Sequence, residues 1–135
     1  MKTKSVLSQT EVSQILAAAR AEAQKNNWAV TIAIADDGGH LLALERLDGC
    51  APASAYIATE KARTSALGRR ETKSYEDMVN GGRTAFVTAP LLTSLEGGVP
   101  VIVDGQVIGA VGVSGVKADQ DAQVAKAGAD IFGAK

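Results

Sequence analysis

A single cysteine, Cys50, rules out a disulfide within the chain, and a single histidine, His40, rules out every site that needs two imidazoles. The H-E-x-x-H pattern of zinc peptidases is thereby excluded. Charge of either sign is not in excess: 14 Lys and Arg stand against 15 Asp and Glu, a formal net charge of −1. That balance gives no basic footprint for nucleic acid and no strong pull toward anionic lipid. No apolar run approaches the roughly 18 residues of a membrane span. Behind the basic start at Lys2 and Lys4, polar residues return at Ser8, so no apolar h-region follows. The expectation is a cytoplasmic protein with neither membrane nor nucleic-acid partners. Aromatic residues make up only 4% of the chain, which leaves the core to Ala, Val, Ile and Leu and suggests elements packed close together.

What is present is a regular alternation of elements over 135 residues, a length that fits one domain, 1–135. Ser8-Gln9-Thr10-Glu11 is a capping box, with Leu7 and Val12 as its hydrophobic staple. Val12, Ile15, Leu16, Ala19 and Ala23 recur at helical spacing, which predicts a helix over 9–26. Residues 28–35 read as a strand with apolar or small side chains on both faces, covered from both sides. Asp36-Asp37-Gly38-Gly39 turns the chain into a return strand from His40 to about Leu47. From Pro52 or Ala53 to Gly68 a helix carries an alanine stripe at Ala55, Ala58, Ala62 and Ala66, with Ile57, Lys61 and Thr64 expected on the opposite, outward face. A short helix is expected over 74–79, and residues 83–98 admit a short strand near Phe86 or Leu91. Asp104-Gly105 suits a type I′ turn between strands 99–103 and 106–114. A closing helix over 118–132 follows, with Asp119 and Asp121 in its first turn. Adjacent antiparallel strands flanked by helices indicate the α+β class.

Few residues carry chemistry. Gly112-Val113-Ser114-Gly115-Val116 lacks the last glycine of a nucleophile elbow, and the glycines from Gly109 to Gly115 do not form a dinucleotide fingerprint. Cys50, after Asp48-Gly49, reads as a small loop residue; a nucleophilic role would need a base beside it. His40 is a solvated hairpin histidine, a ligand for haem iron or another metal, or a general acid–base group. Arg46 and Asp48 form either a surface ion pair or a polar clamp for a carboxylate. Lys61, Arg63 and Thr64 supply either a solvated basic helix face or contacts to a bound anion or a partner subunit. Gly97, Gly98 and Pro100 lie in a loop whose backbone N–H groups could do the same.

Taken together, VTIAIADDGGHLL at 30–42, RLDG at 46–49, KARTSA at 61–66, GGVP at 97–100, DGQVIGAVGVSG at 104–115 and DQD at 119–121 resemble the GlcG/HbpS-like family. That family includes the C-terminal domain of PduO-type proteins. The resemblance runs from about Val6 to Phe132. It implies a five-stranded antiparallel sheet flanked by helices on both faces, profilin-like in shape, and a homo-oligomer from dimer to octamer. It also implies a small-molecule ligand, with haem, a corrinoid or a small carboxylate metabolite as the classes. The Glu-x-x-Glu pattern of secreted haem-binding relatives does not occur in this chain. The expected role is a binding protein without catalysis, whose ligand meets Arg46, Asp48, Lys61, Thr64, Gly97, Gly98 and Pro100. The alternative is a small enzyme acting on a hydroxy acid, a diol-pathway metabolite or a tetrapyrrole.

Overall fold

Helix α1 spans Gln9–Lys25 and begins where the capping box places it. The Glu11 carboxylate accepts hydrogen bonds from Ser8 N at 2.9 Å and Ser8 Oγ at 2.5 Å. Those bonds, the hydroxyl's first, hold the Glu11 carboxyl below its ordinary range. Four strands follow in two hairpins: β1 (Thr31–Asp36) with β2 (Leu41–Arg46), and β3 (Gly98–Val103) with β4 (Gln106–Ser114). Between the hairpins lie α2 (Ala53–Gly68), α3 (Lys73–Asn80) and a 3-10 turn at Thr84–Thr88; α4 (Ala118–Ala129) closes the chain. This is a computed structural model that describes residues 1–133.

The strands form one antiparallel sheet in the order β2-β1-β4-β3. The two hairpins therefore join through their inner strands, leaving β2 and β3 as edges. Alternation along β1 builds two cores. Ile32 and Ile34 point into a large cluster with Ile15, Ala19, Val111, Val113 and Val124, beneath α1 and α4. Ala33 and Ala35 meet Ala58 and Ala62 of α2 on the other face. Only small side chains fit there: a Cβ at Gly112 of β4 would strike the main chain of Ala58 and Ala62. The alanine stripe thus lets α2 lie against the sheet at backbone distance.

Two expectations are corrected. The sheet has four strands among the described residues, not five. Residues 83–97 cannot join a ladder because Pro90 lacks an N–H and Leu91 and Gly97 have φ of 63° and 134°. Their main chain turns to side chains instead, with Thr93 N donating to Thr64 Oγ1 and Glu96 N to Glu76 Oε1. Secondly, Lys61 and Thr64 are buried rather than outward. Lys61 falls three residues after Ala58 and four before Ser65, on the edge of the stripe that faces the sheet. Thr64 is covered by the chain around Thr93. The Asp104-Gly105 turn is as expected, with φ of 53° and 73° at its two central residues.

Candidate functional site

An open cleft of about 750 Å³ lies where the end of α1 meets the end of β2. Asn27, at φ 58°, turns the chain out of the helix, and Trp28 N caps it by donating to Ala23 O at 2.9 Å. Trp28 is thereby set against the core with part of its ring in the cleft. Beside it, Arg20 of α1 grips Glu45 of β2 through two parallel bonds, Nε to Oε1 at 2.5 Å and an Nη to Oε2 at 3.0 Å. The hydrogen bond from Arg20 holds the Glu45 carboxyl below its ordinary range. Arg46 and Asp48 border the same cleft, and both are exposed. Arg46 pairs across the ladder with Thr31, so it belongs to the α2 face of the strand and reaches the cleft around the edge. It has neither an ion pair nor a side-chain hydrogen bond among the described residues, so an unpaired cation and an aromatic ring border the same cleft.

The other expected contacts form a separate, buried group. Lys61 is 4% exposed; its Nζ donates to Val113 O at 2.9 Å and to Asp121 Oδ2 at 3.1 Å. Asp121 Oδ1 accepts from Val116 N at 3.1 Å. Burial raises the Asp121 carboxyl above its ordinary range, against the pull of Lys61. Gly97 packs directly on the Lys61 ammonium, and Gly98 exchanges bonds with Thr72: its N–H donates to Thr72 Oγ1 and its carbonyl accepts from Thr72 N. Pro100 is buried within edge strand β3, where a missing N–H costs nothing. Within one chain these residues and the Arg46–Asp48 pair stand toward opposite edges of the sheet, separated by β1 and β4.

His40 stands at a third place, the start of β2, with its side chain 80% exposed. Asp36 Oδ1 accepts from Gly38 N and His40 N and lies 3.1 Å from His40 Nδ1. A proton on Nδ1 donates to that carboxylate and leaves Nε2 free as a donor of its lone pair, the arrangement that suits a metal-binding imidazole. No cluster of three or more His, Cys, Asp or Glu suited to a metal ion occurs among the described residues.

Sequence reasoning missed Trp28, Arg20 and Glu45 as cleft residues, and nothing in their spacing would have joined a helix to a strand 25 residues on. It also missed the role of Asp121. A signal for that existed: a lysine beside an alanine stripe needs a buried acid, and Asp121 follows the last strand.

The family described as "Haem degrading protein HbpS-like" matches residues 7–130. The chain belongs to the HbpS-like family. It is 77% identical over 114 residues to Protein GlcG of Escherichia coli K12, covering 84% of this chain and 85% of that one. Among solved structures it resembles HbpS of Streptomyces reticuli, in a double-mutant form, at 29% identity and a TM-score of 0.88, over 99% of this chain and 92% of that one. It also resembles a PduOC:heme complex at 26% identity and a TM-score of 0.85, over 96% and 98% of the two chains. HbpS-like membership agrees with the sequence resemblance and with helices on both faces of one antiparallel sheet. No helix of the described residues is long and apolar enough to cross a membrane.

Proposed function

We propose that this HbpS-like chain binds haem as a homo-oligomer. The observation that carries the reading is that the unpaired Arg46 and Trp28 line one cleft of about 750 Å³. Haem is a planar apolar ring with two carboxylates on one rim. An aromatic wall and a free guanidinium are the groups that hold such a molecule. The volume falls in the range of ligand sites, roughly 300–1,000 Å³. The likeness to a haem complex supports the same class. A corrinoid fits less well, because its rim carries amides that gain little from a guanidinium, and a small carboxylate leaves most of the cleft unfilled. The chain has one imidazole to offer iron, His40, whose Nε2 is free. Bound haem would supply an iron centre; Trp28 would hold the ring and Arg46 the carboxylates, and His40, at the other end of β2, would meet the same iron only from a neighbouring copy.

Titration of the purified protein with haemin, followed by the Soret band, tests this. Arg46→Ala should weaken binding about tenfold or more, since a charge-assisted bond is worth about 1.5–3 kcal/mol, and His40→Ala should shift the band. Equal affinity for a haem dimethyl ester would show that Arg46 meets no carboxylate and would sink the reading. The family's description favours a second reading, breakdown of the ring. Loss of the Soret band with time, in air with a reductant, distinguishes it from storage.

A further inference from the structure

We propose that residues 83–96 form a strap that opens as one unit between two glycine pairs, uncovering α2 at Arg63 and Thr64, and that the carboxylates gathered at its foot set how often it opens.

The strap is long and weakly held. No charged residue occurs from Thr84 to Leu95, yet no residue from Gly81 to Glu96 is buried. Val87, Leu91 and Leu95 are 63%, 64% and 43% exposed, so closing the strap removes little apolar surface from water. Its 3-10 turn rests on α3 through Phe86, which stacks on Tyr75 with ring centroids 4.7 Å apart. Among the described residues, no main-chain to main-chain hydrogen bond joins residues 84–96 to the sheet or to α2. Three side-chain clasps hold them instead. Thr64 Oγ1 accepts from Thr93 N at 2.8 Å, Arg63 Nε donates to Leu91 O at 3.1 Å, and Glu76 Oε1 accepts from Glu96 N at 2.9 Å. A segment with so few buried contacts and main-chain bonds belongs to the low end of local stability.

It also has hinges and strain. Gly81 and Gly82 stand at one end, Gly97 and Gly98 at the other; Gly82 has φ 114° and Gly97 φ 134°. A Cβ at Gly82 would meet nothing within 4 Å. At the far end Gly97 O stays bonded to Val113 N at 3.0 Å, so the motion begins before the sheet. Between the hinges Leu91 is held at φ 63°, a conformation a leucine keeps only where its surroundings impose it. The Arg63 clasp grips that same residue. Once it lets go, Leu91 relaxes and the neighbouring clasps lose their geometry, which makes the opening a single event. Opening frees the Arg63 Nε donor and the Thr64 hydroxyl, adjacent positions on one helix.

The foot of the strap is acidic. Glu96 faces Glu76 and Asp77 of α3 and Asp119 of α4, and Lys73 of α3 is the cation whose charge reaches it. Lys73 is itself bonded to Asp77 at 2.7 Å. Lys61 of α2, beneath Gly97, is committed to Asp121. Burial first, and then those carboxylates, push the Glu96 carboxyl above its ordinary range, against the pull of Lys73. Opening carries the group into water and returns it to that range. The closed strap therefore binds more protons than the open one. Closure is favoured as the pH falls through the closed value toward the ordinary one, and opening is most frequent above the closed value.

Residue-resolved amide hydrogen exchange on the full-length chain tests the proposal. The Thr93 and Glu96 amides should share one protection factor, at least about tenfold below that of Val111 in central strand β4. Arg63→Ala removes the Leu91 clasp and should lower both by the same factor. Thr64→Val removes the Thr93 clasp and should lower protection at Glu96, three residues away. Glu96→Gln removes the charge at the foot and should raise Thr93 protection about two- to fivefold at about pH 8, the range of weak charge pairs. In the parent, Thr93 protection corrected for the intrinsic rate should be greater at about pH 5 than at about pH 8, and Glu96→Gln should lose that difference. Thr93 and Glu96 protected as strongly as Val111, or a clasp variant that leaves Glu96 unchanged, overturns the strap. Equal Thr93 protection at the two pH values, or no gain in Glu96→Gln, overturns the role of the foot.

Discussion

Lys61 and Asp121 show what a buried ion pair does for this fold. They tie α2 to the start of α4 across β4, and the Lys61 nitrogen and both Asp121 oxygens have partners. Removing one member of such a pair costs about 3–5 kcal/mol, because the other is left charged and unmatched. Asp121→Ala is therefore expected to lower the melting temperature by roughly 10–15 °C. Lys61→Met has a different signature. Burial already raises the Asp121 carboxyl, and without Lys61 only the Val116 N–H bond offsets that. A group whose folded pKa lies above its unfolded value binds more protons in the folded state, so the variant gains stability as the pH falls through the folded value toward the unfolded one. Melting curves of Lys61→Met should show part of the loss at about pH 8 recovered at about pH 5. A deficit that is the same at both pH values would show that Asp121 does not take up the proton.

At the scale of elements, the β3–β4 hairpin is governed by its turn. Gly105 has φ 73°, and a Cβ added there would touch nothing within 4 Å. Any penalty for substituting it is thus conformational rather than steric crowding from neighbours. Gly105→Val should cost about 1–2 kcal/mol, the cost of placing a side chain at positive φ, with a smaller cost for Gly105→Asn, which tolerates that region. Chemical denaturation of the two variants checks the order; equal midpoints for Val and the parent would mean that the turn had changed type. Helix α2 is controlled by close approach to the sheet. Its alanines and Gly112 are legible as a set of small residues, but which flank of the helix is covered depends on the chain near Thr93, 29 residues after Thr64. For that reason the burial of Thr64 escaped the helical wheel, and that of Lys61 escaped it because its ammonium finds Val113 O and Asp121, 52 and 60 residues on.

Across the whole molecule, four carboxylates, Glu11, Glu22, Asp37 and Glu45, are held below their ordinary range, first by side-chain hydrogen bonds from Ser8, Gln123, Lys4 and Arg20. Each lies lower in the folded state than in the unfolded one. Their stabilisation is present above the unfolded pKa and is lost as the pH falls through the folded value. Glu96 and Asp121, raised by burial, work in the opposite sense, but they are two against four. The melting temperature should hold from about pH 8 to about pH 5 and fall below that. Glu45→Gln should shorten the fall, because Arg20 then loses its charged partner at every pH. A melting temperature that is level down to pH ~3 would contradict this balance.

The local pattern of residues determined most of the elements and their order. The capping box at Ser8, the period-two runs at 30–35 and 106–114, the alanine stripe and Asp104-Gly105 each act over a few residues, so their geometry is present in the chain before it folds. Family motifs determined membership for the same reason, since they are local strings. Only the tertiary structure decided the number of strands, the sheet order β2-β1-β4-β3 and the contents of the cleft. Those depend on which distant residues meet. Arg20 finds Glu45, Thr64 finds Thr93, and Lys61 finds Asp121 at separations of 25, 29 and 60 residues. Such meetings are set by how two cores close over one sheet, and no spacing along the chain encodes them.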